Sequence, residues 1–320
     1  MSKFRVLWSW YANTIYELNC TEIRWYSYYR GQAGRLEIEC LWGDTFSARP
    51  QFEPGQMVTL WEDEKAIFRG YIFTVEFKYG KYKLVCYDRT RYLLNKDSKI
   101  YYNQRVSDIV KNILTSCNQP MGTIADVPYL VNMASFNGTR YLDMIGTVLK
   151  RAEQNLCRRY VLYDDAGKLT LKALQDTALD LKLTGNNAIF DSERKVSIDE
   201  EVYTEVKLTQ YSVENARHRS YTQKNATKEA KYGKLRYYEQ VEIGCTTSQM
   251  QSLASTILAF NGSPVETINL SALGDTLCRA GFMPYISLPQ ISVDGRFLIK
   301  SAVHTISGDG GHTMQLECVR

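Results

Sequence analysis

A chain of 320 residues with 44% hydrophobic and 23% charged residues is long enough for about two domains, and this composition excludes disorder, collagen-like repeats and coiled coil. Its 39 basic and 35 acidic residues leave a net charge of +4, too thinly spread to select a nucleic-acid partner. The departure from average is its 23 tyrosines, a residue enriched on half-buried pleated surfaces and in protein interfaces.

The start, Met1-Ser2-Lys3-Phe4-Arg5 followed by the stretch Val6–Ala12, has no small-x-small cleavage site and reads as a first strand rather than a leader. No apolar run reaches the ~18–20 residues of a membrane span. Leu36, Ile38, Cys40 and Trp42 alternate with Arg35, Glu37 and Glu39, the period of a strand with one wet face. Pro54-Gly55 is a turn before a strand at Met57–Trp61. Two further runs, Ile67–Phe77 and Tyr82–Tyr87, are joined by the hairpin turn Tyr79-Gly80-Lys81.

Near residue 105 the period changes. Val106, Ile109, Val110, Ile113, Leu114 and Cys117 place one apolar stripe on a helix, with Ser107 near its N-cap. A second helix is expected from about Thr139 to Leu156. Tyr160–Tyr163 and Leu169–Leu174 follow as a hairpin around Asp164-Asp165-Ala166-Gly167-Lys168. Strand patterning returns at Val202–Tyr211, Arg236–Ile243, Phe297–Ile306 and Thr313–Val319, interrupted by a helix that Thr246-Thr247-Ser248 opens. The expected fold is mainly β with an α+β insert. Two barrel-like β domains of related topology, 1–98 and 179–320, the latter with one helix near 248–260, flank a helix-containing domain, 99–178.

The chemistry-bearing residues do not converge. Of three histidines, His304 and His312 flank the turn Gly308-Asp309-Gly310-Gly311, with Cys318 as the nearest further ligand. A zinc site needs three or four ligands, usually with short-spaced pairs, so these read as structural, and His218 stands apart. The eight cysteines form no C-x-x-C pair and sit mostly in apolar runs, which fits a reduced protein without a disulfide framework. No Gly-x-Ser-x-Gly turn, phosphate-binding glycine loop or cysteine-nucleophile signature around Cys157 or Cys278 is present. Asp164/Asp165 reads as turn chemistry and Glu200/Glu201 as a solvated strand start rather than a glycosidase pair. Neither a catalytic residue nor a cofactor or metal ligand is therefore assigned. The segment from Arg217 to Arg236 interleaves cations with tyrosines, as single-strand nucleic-acid grooves and protein contacts both do. It reads as a long loop that orders only against a neighbouring chain, with Arg217, Arg219, Tyr221, Tyr232 and Arg236 as candidate assembly contacts.

Several motifs in order resemble the XkdQ/YqbQ-type baseplate hub proteins of phage tails, grouped with late control protein D and the hub part of type VI secretion spikes. Ile23-Arg24-Trp25 and Gly34-Arg35-Leu36-Glu37 are similar to that family's opening strand pair. Phe52-Glu53-Pro54-Gly55, Val58-Thr59-Leu60 and Phe68-Arg69-Gly70-Tyr71-Ile72-Phe73 resemble its next strands. Tyr87-Asp88-Arg89-Thr90-Arg91-Tyr92-Leu93-Leu94-Asn95 resembles its turn into the insert, which continues through Val106–Leu114, Leu142-Asp143-Met144-Ile145 and the hairpin at 160–169. Lys231-Tyr232-Gly233, Val293-Asp294-Gly295-Arg296-Phe297, His304-Thr305-Ile306 and His312-Thr313-Met314 complete the series, while Ser271–Tyr285 departs from it beyond Arg279-Ala280-Gly281. The resemblance implies a structural, non-enzymatic hub in a phage or phage-tail-like particle, made in the bacterial cytoplasm. Three copies would form a homotrimeric ring between the hexameric tail tube and the spike, touching tube protein, spike protein and other baseplate proteins, with no specific nucleic acid and no membrane span. The alternative is a tail-tip cell-wall hydrolase or wall-binding module.

Overall fold

The computed structural model describes residues 3–10, 14–41, 51–78, 80–199, 201–212, 217–241 and 245–320. The chain is mainly β, with 54% of the described residues in strands and 21% in helices. The first part supplies β1 (Phe4–Trp10), β2 (Thr14–Glu17), β3 (Cys20–Tyr28), β4 (Arg35–Leu41), β5 (Met57–Glu62), β6 (Lys65–Lys78) and β7 (Lys81–Tyr87). The middle supplies β8 (Lys96–Arg105), α1 (Val106–Ser116), β9 (Met121–Ile124), β10 (Leu130–Arg140), α2 (Tyr141–Leu156), β11 (Tyr160–Asp164) and β12 (Leu169–Ala173). Next come β13 (Ala178–Thr184), β14 (Ile189–Ser197), β15 (Glu205–Ser212), β16 (Arg217–Lys224), α3 (Ala226–Tyr232), β17 (Arg236–Gln240) and α4 (Thr247–Phe260). The last part is β18 (Val265–Leu273), β19 (Met283–Leu288), β20 (Val293–Arg296), β21 (Leu298–Ser307) and β22 (His312–Val319).

Eleven strands form one ladder in the order β14-β18-β22-β21-β3-β4-β7-β6-β5-β1-β2. The alternation read in the sequence places Leu36, Ile38 and Cys40 inward, where they are fully buried with Trp8, Leu60, Ile72 and Leu84. Each such aliphatic side chain contributes ~1.5–3 kcal/mol of burial. A second core, around Ile268, Ile286, Phe297, Ile299 and Leu316, serves the other arm. The two barrel-like units are not closed barrels among the described strands. The reason is visible at the centre of the ladder, where β21 gives its free edge to β3, with His304 opposite Trp25 and Ile306 opposite Ile23.

The two arms repeat one another. The order β3-β4-β7-β6 is reproduced as β14-β18-β22-β21, antiparallel throughout. The irregularities recur at the same places. A bulge between Cys20 and Glu22 in β3 has its counterpart between Ile189 and Asp191 in β14. A bulge after the pair Ile72–Cys86 matches one after the pair Ile299–Cys318. Gly55 N donates to the Ile72 carbonyl at 2.7 Å, and Gly281 N donates to the Ile299 carbonyl at 2.8 Å. Both glycines are left-handed, at φ 97° and 87°, which explains why turn and strand start each need glycine there. Bulges re-aim strands and are features of a design rather than defects, so their coincidence marks two copies of one unit.

The helices form as their spacing predicts. α1 and α2 bury Ile109, Ile113, Met144, Ile145 and Val148 against one core over the ribbon β8–β10 and the sheet β11-β12-β9. The N-cap of α1 is Arg105, while Ser107 is buried and its hydroxyl reaches Asp126 Oδ1 at 3.3 Å. α4 opens on a capping box in which Thr246 and Gln249 each satisfy the other's backbone N–H. The span between β14 and β18 is occupied by the three-stranded sheet β16-β15-β17, α3 and α4, with a core of Val206, Leu208, Met250, Ala254 and Ile257. In the first arm the corresponding connection, β3 to β4, is short.

Candidate functional site

The segment Arg217–Arg236 is not a loop. Its residues form β16, α3 and the start of β17, with β15 between the two strands. The polar run hid this because β16 turns Arg219, Tyr221 and Gln223 toward α4, of which Tyr221 alone packs on the apolar core, and His218, Ser220, Thr222 and Lys224 away from it. Arg217 lies in β16 opposite Ser212. Exposed Arg219 donates to Thr247 Oγ1 at 2.9 Å, and half-buried Tyr221 reaches Gln223 Oε1 at 3.4 Å. Tyr232 packs its ring under Lys231 Nζ at 5.1 Å. Arg236 pairs with the buried Glu205, which also binds Lys234 Nζ at 3.0 Å. Desolvation of Glu205 is outweighed by these cations, which hold its carboxyl below the usual range.

The five residues therefore lie along one ribbon rather than in one pocket. More open are two strand edges. β6 pairs with β7 over its whole second half, but its other side meets β5 only up to Tyr71. Residues 74–78 thus present an unpaired backbone edge among the described residues, with Phe77 53% exposed. Among the described strands β14 pairs only with β18, and Phe190 and Val196 on it are 63% and 53% exposed. Such edges are templates for another strand.

Sequence reading missed a charge cluster where three parts of the chain meet. Asp88 follows β7, Asp164 ends β11, and Arg279 precedes β19. Asp88 and Asp164 are buried. Asp88 accepts from Thr90 N at 2.9 Å, and Asp164 accepts from Arg89 N at 3.1 Å and Gly167 N at 2.5 Å. Arg279 donates to the Asp164 carbonyl at 2.7 Å and lies 4.7 Å over the Tyr163 ring. A cavity of about 30 Å³ adjoins the three, room for a single water. Burial pushes both carboxyls up, Asp88 also through Asp164, while the same burial lowers the guanidinium of Arg279. A Cβ on Gly34 would overlap Asp88 Oδ2, so that glycine is needed for the carboxyl to sit there. The hairpin turn around Asp164 was legible; its burial depends on residues 75 and 115 positions away.

His304 and His312 do come together, with Nδ1 of the first 3.0 Å from Nε2 of the second. His304 Nε2 is 3.0 Å from the Cys278 carbonyl, which only accepts, so Nε2 carries the proton and Nδ1 accepts from His312. Burial, then the neighbouring His312, lowers the His304 pKa to about 3. Three of the pair's four ring nitrogens are spent on each other and on backbone, which leaves too few converging lone pairs for a metal. Among the described residues no group of three His, Cys, Asp or Glu side chains is placed to hold an ion. Cys318 is buried in the second core and Cys278 is buried beside it, with burial raising both thiols. Cys157 is an exposed free thiol. Asp165 N and the Lys168 carbonyl close the 164–168 turn, and Glu200 lies outside the described residues. Trp42, Tyr79 and residues 242–244 also lie outside them. No helix among the described residues is long and apolar enough to cross a membrane.

The fold is that of a phage tail protein. The 43 kDa tail protein of prophage MuSo2 from Shewanella oneidensis superposes with a TM-score of 0.71 over 99% of this chain and 98% of its own, at 13% identity. A family profile described as YQBQ-like matches residues 23–319, and the chain belongs to that family. YqbQ of Bacillus subtilis (strain 168) is 30% identical over 258 residues, 80% of this chain and 78% of that protein. The phage-like element PBSX protein XkdQ of the same strain is 28% identical over the same shares.

Proposed function

We propose that the chain is a structural baseplate hub subunit of a contractile phage tail or tail-like particle, made in the bacterial cytoplasm. Three copies form a ring between the tail tube and the spike. The observation that carries this is the internal repeat: one chain holds two copies of a four-strand unit, so three chains present six similar units around one axis. Such a ring meets a hexameric tube on one side and a threefold spike on the other without a mismatch in symmetry. The relative XkdQ, a protein of a phage-like element, and the tail-protein fold support the same reading.

In this account residues 1–98 and 179–320 are the two hub units and 99–178 the domain between them. Arg217, Arg219, Tyr221, Tyr232 and Arg236 lie on the β16–β17 ribbon as contacts to the tube or to other baseplate proteins. The role is mechanical, with no catalytic residue or cofactor. Particles assembled without this chain should have tubes that carry no spike, and a complementing copy should restore it. Tubes that keep spike and baseplate without the chain contradict the proposal.

A further inference from the structure

The internal repeat does more than suggest a ring; it fixes a register for the contact between copies. Inside one chain the junction between arms is β21 on β3, with Ser301 opposite Tyr28, Val303 opposite Tyr26, His304 opposite Trp25 and Thr305 opposite Arg24. The repeat places Thr74 where Ser301 stands, because each follows the same bulge and pairs with the same position of the next strand, Val85 or Glu317. It places Ser197 where Tyr28 stands, because Trp25 faces Leu36 as Arg194 faces Ile268. Leu36 and Ile268 in turn face the matching cysteines, Cys86 and Cys318. The edges that β21 and β3 use on each other are therefore present a second time, unpaired among the described residues, on β6 and β14.

We propose that residues 74–78 of β6 add to residues 193–197 of β14 in a second copy of this chain, antiparallel and in the register of the internal junction. Thr74 then faces Ser197, Val75 faces Val196, Glu76 faces Lys195, Phe77 faces Arg194 and Lys78 faces Glu193. This rests on the ring reading above and names the surface by which the ring closes. The backbone repeat alone sets these five pairs, and their side chains match. Two are opposite charges, one is aliphatic on aliphatic, one joins two hydroxyls, and one sets a guanidinium against an aromatic ring. Charges scattered on an edge merely blunt it. Here they change sign along β6 and change in the complementary order along β14.

Ladder bonds at the internal junction sharpen the register. Tyr29 N donates to the Lys300 carbonyl at 2.8 Å and Gly308 N to the Thr21 carbonyl at 2.9 Å, so odd positions of β3 are its hydrogen-bonded sites. By the repeat, Glu76–Lys195 and Lys78–Glu193 fall at non-hydrogen-bonded sites, where facing Cα atoms approach to about 4.5 Å and side chains are nearest. A disulfide fits that spacing. All four side chains are exposed in the single chain, so replacing them leaves its cores untouched.

The test is the full chain carrying both Glu76→Cys and Lys195→Cys, mildly oxidised in the presence of its spike protein. The expected product is a closed covalent species of three chains, at least tenfold more abundant than from either single variant. Reversing one charge, by Glu76→Lys or Lys195→Glu, should weaken the trimer, and the two reversals together should restore it. A wild-type trimer by mass with no cross-link at 76 and 195, or with equal cross-linking from a pair shifted to Glu76→Cys and Arg194→Cys, overturns the seam and leaves the ring standing. A wild-type chain that stays single alone and with the spike overturns both.

Discussion

Replacing Arg279 with methionine should destabilise the folded chain by about 3–5 kcal/mol at neutral pH, the usual cost of removing one partner from a buried charge cluster. The side chain is enclosed by Asp88, Asp164, Tyr163 and Trp25, all distant in sequence, and by the nearby Phe282. Methionine keeps much of the apolar contact but removes the donor to the Asp164 carbonyl and the positive charge between two carboxyls. The deficit should be smallest where both buried carboxyls are protonated and grow as pH rises and they ionise, because only ionised carboxyls need the cation. Urea unfolding at a series of pH values reads both effects. A deficit under 1 kcal/mol, or one that does not change with pH, means the cluster is not held by charge.

The same cluster should make stability fall as pH rises. The Asp88 carboxyl is raised above its ordinary value by burial and by Asp164. An unfolded Asp releases its proton near pH 4 while the folded one keeps it, so between those points the native state binds more protons than the unfolded state. Stability from Asp88 is then full below about pH 4 and declines upward until the folded carboxyl ionises. Asp88→Asn retains a carbonyl for Thr90 N and removes the titration. Its unfolding free energy should be flatter than wild type from pH 4 upward, and higher than wild type at pH 8. Parallel curves for the two proteins contradict the assignment.

How much of this was legible in the sequence depends on the range of the interaction that decides it. Leu36, Ile38 and Cys40 announced their strand because a half-buried strand writes its period into adjacent residues. Val106 to Leu114 and the opening Thr246-Thr247-Ser248 did the same for helices. β14 carries Phe-Asp-Ser-Glu-Arg-Lys-Val-Ser with no buried stripe past Ile189, and its partner β18 begins only at Val265, after a separate sheet. Period cannot find such a strand. For the same reason β16 passed for a loop. Its cations were seen, but not the neighbouring β15 that pairs with it. Asp164 looked like turn chemistry and is that too, since Gly167 N binds it; only the fold brings Arg279 and Asp88 beside it. The β–α–β layout announced two units of related topology, but not their matching register, because the two copies share bulges and pairing rather than residues.

The mass of the purified chain in solution, measured by light scattering with and without the spike protein, tests the central claim most directly. The account predicts a particle of three chains, formed alone at high concentration or on addition of spike, and no other closed stoichiometry. A single chain under all these conditions, or a symmetric dimer, would contradict a trimeric hub.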